Sequence, residues 1–206
     1  MPLTKTEMTV LRFGDRRSPR PLAGLPTIGI DDPQTLDNTI AGLPGGVSRL
    51  AVVGGAADLA AVLTRLMRND RLDVEVAHVG GLRSAVRAGA AAARRVPLIR
   101  DDTGTVLVTA ALWLPPEGST AICGEAVADD TVLFDGSAAG VRIEPTTALP
   151  GLRAAVLGGW PRRWYGARAV QLGTTGARLV RDGVPGRREV RRSTFYRHTT
   201  GWLRVG

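Results

Sequence analysis

The chain holds one cysteine, two histidines and one lysine among its 206 residues, and each scarcity removes a class of protein. A lone thiol at Cys123 forms no internal disulfide, so the expected compartment is a reducing one, the cytoplasm. One cysteine with His78 and His198 supplies too few soft ligands for a structural zinc site. No Gly-x-Ser-x-Gly elbow marks a serine hydrolase. No apolar run approaches the ~20 residues a membrane-spanning helix needs. The longest candidates, such as Ala88–Ala93, are alanine stretches broken by Arg94 and Arg95. Met1-Pro2-Leu3-Thr4-Lys5 lacks the apolar core of a secretory signal.

What is present is ordinary for a globular protein: 44 % hydrophobic and 22 % charged residues, enough to bury a core and to exclude disorder of the whole chain. The net charge of +8 is unevenly placed. Residues 142–206 carry thirteen arginines against three acids, a net +10, whereas residues 1–141 sum to −2. Such asymmetry points the C-terminal part at something anionic: phosphate, nucleic acid or an acidic lipid surface. The plainer alternative is a solvated surface, because Lys5 is the only lysine and arginine serves wherever a positive residue is needed.

Two halves of different texture follow along the chain. Thr9–Phe13 and Pro26–Ile30 read as strands separated by an Arg-, Pro- and Gly-rich loop, Asp15–Pro26. Asp32-Pro33 supplies an N-cap and a first-turn proline for a helix over Pro33–Ala41, ended by Leu43-Pro44-Gly45-Gly46. Arg49–Val53 is a strand buried on both faces. Ala57–Arg68 is a helix with Leu59, Val62, Leu63 and Leu66 on one stripe. Asp73–Val79 is a fourth strand, and Arg83–Arg94 a second alanine-rich helix. Strand–turn–helix repeated in this way predicts a parallel sheet with crossover helices. Beyond Pro97, short runs rich in Val, Leu, Ile and Thr alternate with Gly, Pro and Asp breaks at Pro115–Gly118, Asp135-Gly136, Gly173–Gly176 and Asp182-Gly183. They end with Trp202–Val205, are interrupted by one helix over Leu149–Leu157, and predict an antiparallel sandwich. The expected architecture is α/β plus all-β: a reduced, Rossmann-like lobe over 1–95 followed by a β-sandwich lobe over 96–206.

Two diglycines occupy equivalent places. Gly54-Gly55 follows the strand RLAVV and Gly80-Gly81 follows DVEVAHV, each before a helix. These are the carboxyl ends of parallel strands, where α/β sheets bind ligands. Glycine admits close approach of a phosphate, and the helix that follows offers unpaired N–H groups. The structural alternative is a tight turn that requires positive φ.

In this order of parts the chain resembles the diacylglycerol kinase / sphingosine kinase / NAD kinase superfamily. There, an α/β domain carries a Gly-Gly-Asp-Gly-Thr loop, then a Gly-Thr-Gly-Asn loop, and a β-sandwich carries an Asp-Gly-Glu turn. Val52-Val53-Gly54-Gly55-Ala56-Ala57-Asp58-Leu59 stands at the first motif. His78-Val79-Gly80-Gly81-Leu82-Arg83-Ser84-Ala85-Val86-Arg87 stands at the second, and Ala177-Arg178-Leu179-Val180-Arg181-Asp182-Gly183-Val184 at the third. The resemblance runs from Arg49 onward. It implies a nucleotide-binding scaffold, ATP or another nucleotide as ligand, an acceptor that is a lipid or a nucleotide, and self-association as a homodimer.

The departures are specific. The first-loop Asp is Ala56, and the Gly and Thr after it are Ala57 and Asp58. The second loop has Gly81 and Arg83 in place of Thr and Asn, and the Glu of the third motif is Val184. The glycine-containing loop and helix that follow the first strand in the family have no clear counterpart in Asp15–Pro26. Phosphoryl transfer rests on positioning and charge neutralisation, and magnesium needs carboxylate oxygens. With both carboxylates missing, the expectation is a catalytically degenerate scaffold without firm magnesium binding. It would hold a nucleotide or phosphorylated ligand between lobes at Gly54, Gly55, Asp58, Gly80, Gly81 and Arg83. Asp58 also reads as a first-turn helix acid, and Arg83 as a phosphate-gripping guanidinium or a solvated residue. The rival is an active kinase that recruits Asp58 and Asp182. A third reading is an Arg-rich scaffold docking on anionic lipid or nucleic acid through Trp160–Tyr165 and Arg191–His198, where aromatics interleave with arginines. Asp182-Gly183 reads as a hairpin turn, Asp101-Asp102 and Asp129-Asp130 as turn formers, His78 as a satisfied buried histidine, and Cys123 as a small packed residue.

Overall fold

The computed structural model describes residues 8–43, 49–159 and 161–206. The expected helix stop at Pro44-Gly45-Gly46 and the aromatic Trp160 lie outside the described residues. Strands β1 (Met8–Phe13) and β2 (Thr27–Ile30) are joined by a loop containing one 3₁₀ turn, Arg20–Leu22. Then come α1 (Pro33–Ala41), β3 (Arg49–Val53), α2 (Ala56–Arg68), β4 (Glu75–Val79), α3 (Leu82–Ala90) and β5 (Ala93–Val96). Twelve further strands follow: β6 (Ile99–Asp101), β7 (Val106–Leu107), β8 (Ala111–Leu114), β9 (Ile122–Ala128), β10 (Thr131–Ala138) and β11 (Val141–Pro145). The remaining six are β12 (Leu152–Val156), β13 (Tyr165–Ala167), β14 (Ala169–Arg181), β15 (Val184–Pro185), β16 (Val190–Arg197) and β17 (Trp202–Val205). The chain divides into two compact units, Met1–Val96 with Gly201–Gly206, and Pro97–Thr200.

The first unit is a mixed sheet in the order β2-β1-β3-β4-β17-β5, with β2, β1, β3, β4 and β17 parallel and β5 antiparallel at the edge. Its elements follow from local rules. Asp32 caps α1, its carboxylate accepting the Thr35 N–H at 2.9 Å and the Thr35 hydroxyl at 2.6 Å. Those two bonds hold the Asp32 carboxyl below its ordinary range. Strand β3 is buried along its whole length, so side chains alternate between two covered faces. Ala51 and Val53 pack with Ala85 and Ala88 of α3, and Leu50 and Val52 point to the opposite face. Arg49, at the start of β3, is buried and paired with Glu75 at 2.5 Å, and it donates to the Ala88 carbonyl at 2.7 Å. That pair pins β3, β4 and α3 at the amino end of the sheet.

The second unit is a large antiparallel sheet, β13-β12-β11-β8-β14-β16-β6-β7, with β9, β10 and β15 attached. Strand β14 organises it. Its first half pairs with β9 and β16, and its second half with β8 and β15. Residues of all the longer strands converge on one core around Trp113 and Phe195, whose ring centroids are 6.0 Å apart. The Trp113 indole N–H is satisfied by the buried Ser193 hydroxyl at 3.0 Å. The whole is an α/β lobe and a β-rich lobe, as the sequence leads one to expect.

Four local expectations are corrected. Leu149–Leu157 is not a helix: Leu152 and Ala154 are buried around an exposed Arg153, and β12 pairs with β11 over five residues. Cross-strand pairing and burial override the helix preference of Ala154 and Ala155. The alanine-rich helix ends at Ala90 rather than Arg94, because Ala93–Val96 is drawn into pairing with β17. Gly173–Gly176 does not separate two strands but forms a register shift inside β14, and Asp135-Gly136 runs within β10. Strand β17, grouped by its texture with the β-rich half, completes the parallel sheet beside β4.

Candidate functional site

Strands β3 and β4 run parallel in register, Val53 beside Val79, so the two diglycine turns leave the sheet at its carboxyl edge side by side. They are tied together directly, since His78 Nε2 lies 3.0 Å from the Gly54 carbonyl oxygen. His78 is therefore satisfied, but its ring is exposed rather than buried, because it ends an edge that opens to solvent. Five of the six expected ligand residues (Gly54, Gly55, Asp58, Gly80 and Gly81) gather at this edge. Arg83 follows as the second residue of α3, exposed.

The glycines are not there for positive φ. Gly55 has φ −86° and Gly81 φ 176°, and neither Gly54 nor Gly80 is left-handed. The two turns differ in why they are glycine. At Gly54 a Cβ would come within 2.8 Å of Asp58 Cβ, so the position excludes any side chain. At Gly80 and Gly81 an added Cβ meets nothing within 4 Å.

Both turns are capped by their own helices. The Asp58 carboxylate accepts the Gly55 N–H at 2.7 Å. Ser84 Oγ accepts the N–H groups of Gly80 and Gly81 at 3.1 and 3.0 Å and donates to the Gly81 carbonyl at 2.9 Å. Asp58 thus takes the first-turn acid role, supplying the side-chain half of a capping box at the start of α2. Helix geometry leaves the N–H groups of Ala56, Ala57 and Asp58 without an intrahelical partner at the positive end of α2.

A cleft of about 500 Å³ opens on the α1/α2 side of this edge. It is bounded by the ends of β1 (Phe13–Arg16) and β2 (Ile30–Asp32), by Pro33 and Leu36 of α1, and by Asp58, Ala61 and Arg65 of α2. The strand order places it at the reversal between β1 and β3, the expected ligand position in an open α/β sheet. Sequence reasoning missed most of its polar lining. Arg16, from the loop after β1, brings its guanidinium within 3.8 Å of where a Gly55 Cβ would stand. Its position directly after the first strand is the one signal that would have found it. Arg65 is bound to Asp37 at 2.8 Å. Asp15, Asp31, Asp32 and Asp58 line the same cleft from three separate stretches.

These acids do not form a metal centre. Among the described residues, no group of three or more Asp, Glu, His or Cys side chains is placed to hold a metal ion. Where the resemblance leads one to expect carboxylates the chain carries Ala56 and Val184, and the Asp58 and Asp32 carboxylates accept N–H groups of helix caps. The chain's residues do not fit a magnesium site of that kind. Asp182 does not supply one either: in the second unit its carboxylate accepts the N–H groups of Val108, Thr109 and Ala110 at 3.0, 2.6 and 3.2 Å. With φ +48° and Gly183 at +85°, Asp182 forms the β14–β15 hairpin turn.

The remaining polar features resolve as structure. Asp101 accepts the N–H groups of Thr103 and Thr105 in its own turn, and Asp129 accepts those of Arg168 and Ala169 from the start of β14. Three arginines stack on rings of the chain itself: Arg100 on Tyr196, Arg153 on Trp164 and Arg163 on Tyr165, at 4.7, 4.3 and 4.9 Å. Cys123 is exposed instead of packed, because it lies on the outward face of β9.

No family model matches the chain, and no curated protein matches it. Solved structures do. A putative diacylglycerol kinase from Bacillus anthracis str. Sterne superimposes with a TM-score of 0.77 at 10 % identity, over 98 % of each chain. A second structure, of a diacylglycerol kinase from the same organism, gives 0.73 at the same identity and coverage. An NAD kinase from Archaeoglobus fulgidus in complex with ATP gives 0.61 at 11 % identity, over 97 % of this chain and 93 % of that one. The chain has the fold of these kinases.

Proposed function

We propose that this chain, built on the fold of the diacylglycerol and NAD kinases, binds a nucleotide at the carboxyl edge of its parallel sheet without transferring phosphate. The observation that carries the reading is the cleft beside Gly54-Gly55 with the Arg16 guanidinium at its glycine end. Four carboxylates against two arginines, one of them already paired, make a poor site for bare phosphate. They suit a ligand with hydroxyls for the acids and a phosphate for Arg16 and the α2 N-terminus, which describes a nucleotide. Gly80, Gly81 and Arg83 stand next along the same edge, outside the lining of the cleft. Catalysis is lost with the missing carboxylates at Ala56 and Val184.

Thermal-shift titration with ADP, ATP and NAD, with and without magnesium, tests the binding. Stabilisation that does not require magnesium supports the reading, and no response to any nucleotide removes it. An active kinase remains the second reading, favoured by the four aspartates that share the cleft. Labelled phosphate passing from ATP to a lipid extract, and abolished by Asp58→Asn, would establish that reading and overturn the first.

A further inference from the structure

Helix α3 is built inside out. In α1 and α2 every Leu, Ile, Val and Met side chain is buried, Leu36 and Ile40 in the first and Leu59, Val62, Leu63, Leu66 and Met67 in the second. In α3 the residues that meet the sheet are Ala85 and Ala88, packed with Ala51, Val53 and Ala77. Its two large apolar residues point away from that core, Leu82 63 % exposed and Val86 54 % exposed. A surface helix ordinarily turns its apolar stripe inward. Here the small residues take the core side and the bulk stays in water, one helical turn apart, where covering it would be favourable.

The charge beside this pair has one sign. About 100° further round the helix, Arg83 and Arg87 form a parallel basic stripe, both exposed. From Val79 to Arg100 the chain contains no Asp or Glu. The 3₁₀ turn Arg20–Leu22 packs with α3 through Leu22 on the same face of the sheet and leaves Arg20 exposed. Among the described residues, no ion pair takes up Arg20, Arg83 or Arg87.

The occupant of such a face has to offer an apolar phase and negative charge together. A second copy offers the first without the second, since two α3 faces would set Arg83 and Arg87 against their own images. A nine-residue helix, roughly 13 Å long, also covers far less than the ~800 Å² per partner that a stable protein interface buries. Nucleic acid offers the charge without the apolar phase. An anionic bilayer supplies both: acyl chains for Leu82 and Val86, and phosphates for arginine heads that snorkel to the headgroup level. We propose that the outer face of α3 docks this chain on an anionic lipid bilayer, with the helix lying in the plane of the interface. This places the lipid surface in the first unit and not on the arginine–aromatic segments of the second, and it does not depend on nucleotide binding.

Cosedimentation of the full chain, without nucleotide, with vesicles of phosphatidylcholine alone or containing about one-third phosphatidylglycerol tests the proposal at near-physiological salt. Binding roughly tenfold tighter to the mixed vesicles is expected. Arg87→Ala should weaken it about fivefold, and Leu82→Ser combined with Val86→Ser about tenfold. These substitutions change exposed side chains, so the thermal melts should match that of the parent. Arg191→Ala combined with Arg192→Ala, in the second unit, should change vesicle binding less than about twofold. The proposal is overturned by equal binding to the two kinds of vesicle, by no binding to either, or by binding that Leu82→Ser with Val86→Ser leaves intact. A parent chain that sediments as a dimer and becomes a monomer with those two substitutions would put a second copy on the face and overturn it as well.

Discussion

The two diglycine turns look alike in sequence and differ in physics. Gly54-Gly55 is packed: its first glycine is buried, Asp58 occupies the space a side chain would need, and Arg16 leans over the second. Gly80-Gly81 is open: both residues are exposed, nothing surrounds an added Cβ, and a serine hydroxyl does the capping. Gly54 is therefore required by packing, and neither glycine of the second pair is required by any local constraint. The cleft lies beside the packed pair, so the proposed binding site and the need for glycine coincide at one turn only.

The largest expected effect breaks the likeness directly. Gly54→Ala forces a Cβ against Asp58 and is expected to cost about 1–3 kcal/mol in urea unfolding. Gly80→Ala is expected to stay within about 0.5 kcal/mol of the parent. Equal costs at the two positions would erase the distinction. Next, Arg16→Ala is expected to weaken ADP affinity about tenfold, corresponding to the loss of a charge-assisted hydrogen bond of ~1.5 kcal/mol. Arg83→Ala should cost less, and a larger loss at Arg83 would move the phosphate site to the second turn. The caps come third. Asp58→Ala removes the acceptor of the Gly55 N–H and should cost about 1 kcal/mol in the same unfolding measurement.

The smallest effect is set by pH. Asp32, beside the first turn, is held below its ordinary pKa by the Thr35 hydroxyl and N–H. A lowered folded-state pKa contributes stability above the unfolded value and loses it as pH falls through the folded value. The melting temperature of Asp32→Asn should therefore lie slightly below that of the parent at neutral pH, and the gap should close in acid, below the ordinary aspartate range. Ser84→Ala at the second turn, which has no titrating cap, should show a gap that stays constant over the same range.

Sequence carried the local rules well and the distant ones poorly. Strands β1 to β4, helices α1 and α2, and the Asp32 cap were legible because each rests on periodicity or on residues within one turn. The strand β12 was not, since Ala154 and Ala155 favour a helix until β11 offers a partner. The position of β17 was invisible, because nothing within Trp202–Val205 says that β4 lies beside it. The candidate site divides the same way. The glycine turns were found by order along the chain. Arg16, Asp15 and Asp31 were not, because a loop and two strand ends meet only once the sheet has formed. Asp58 and Asp182 were found by position, but their use as backbone acceptors depends on geometry that the sequence does not display.

The most direct test of the central claim is calorimetric titration of the full chain with ADP in the presence of a magnesium chelator, repeated with Arg16→Ala. The account predicts saturable binding that the chelator leaves intact and that Arg16→Ala weakens about tenfold. Binding that disappears with the chelator, or that Arg16→Ala leaves unchanged, would contradict it.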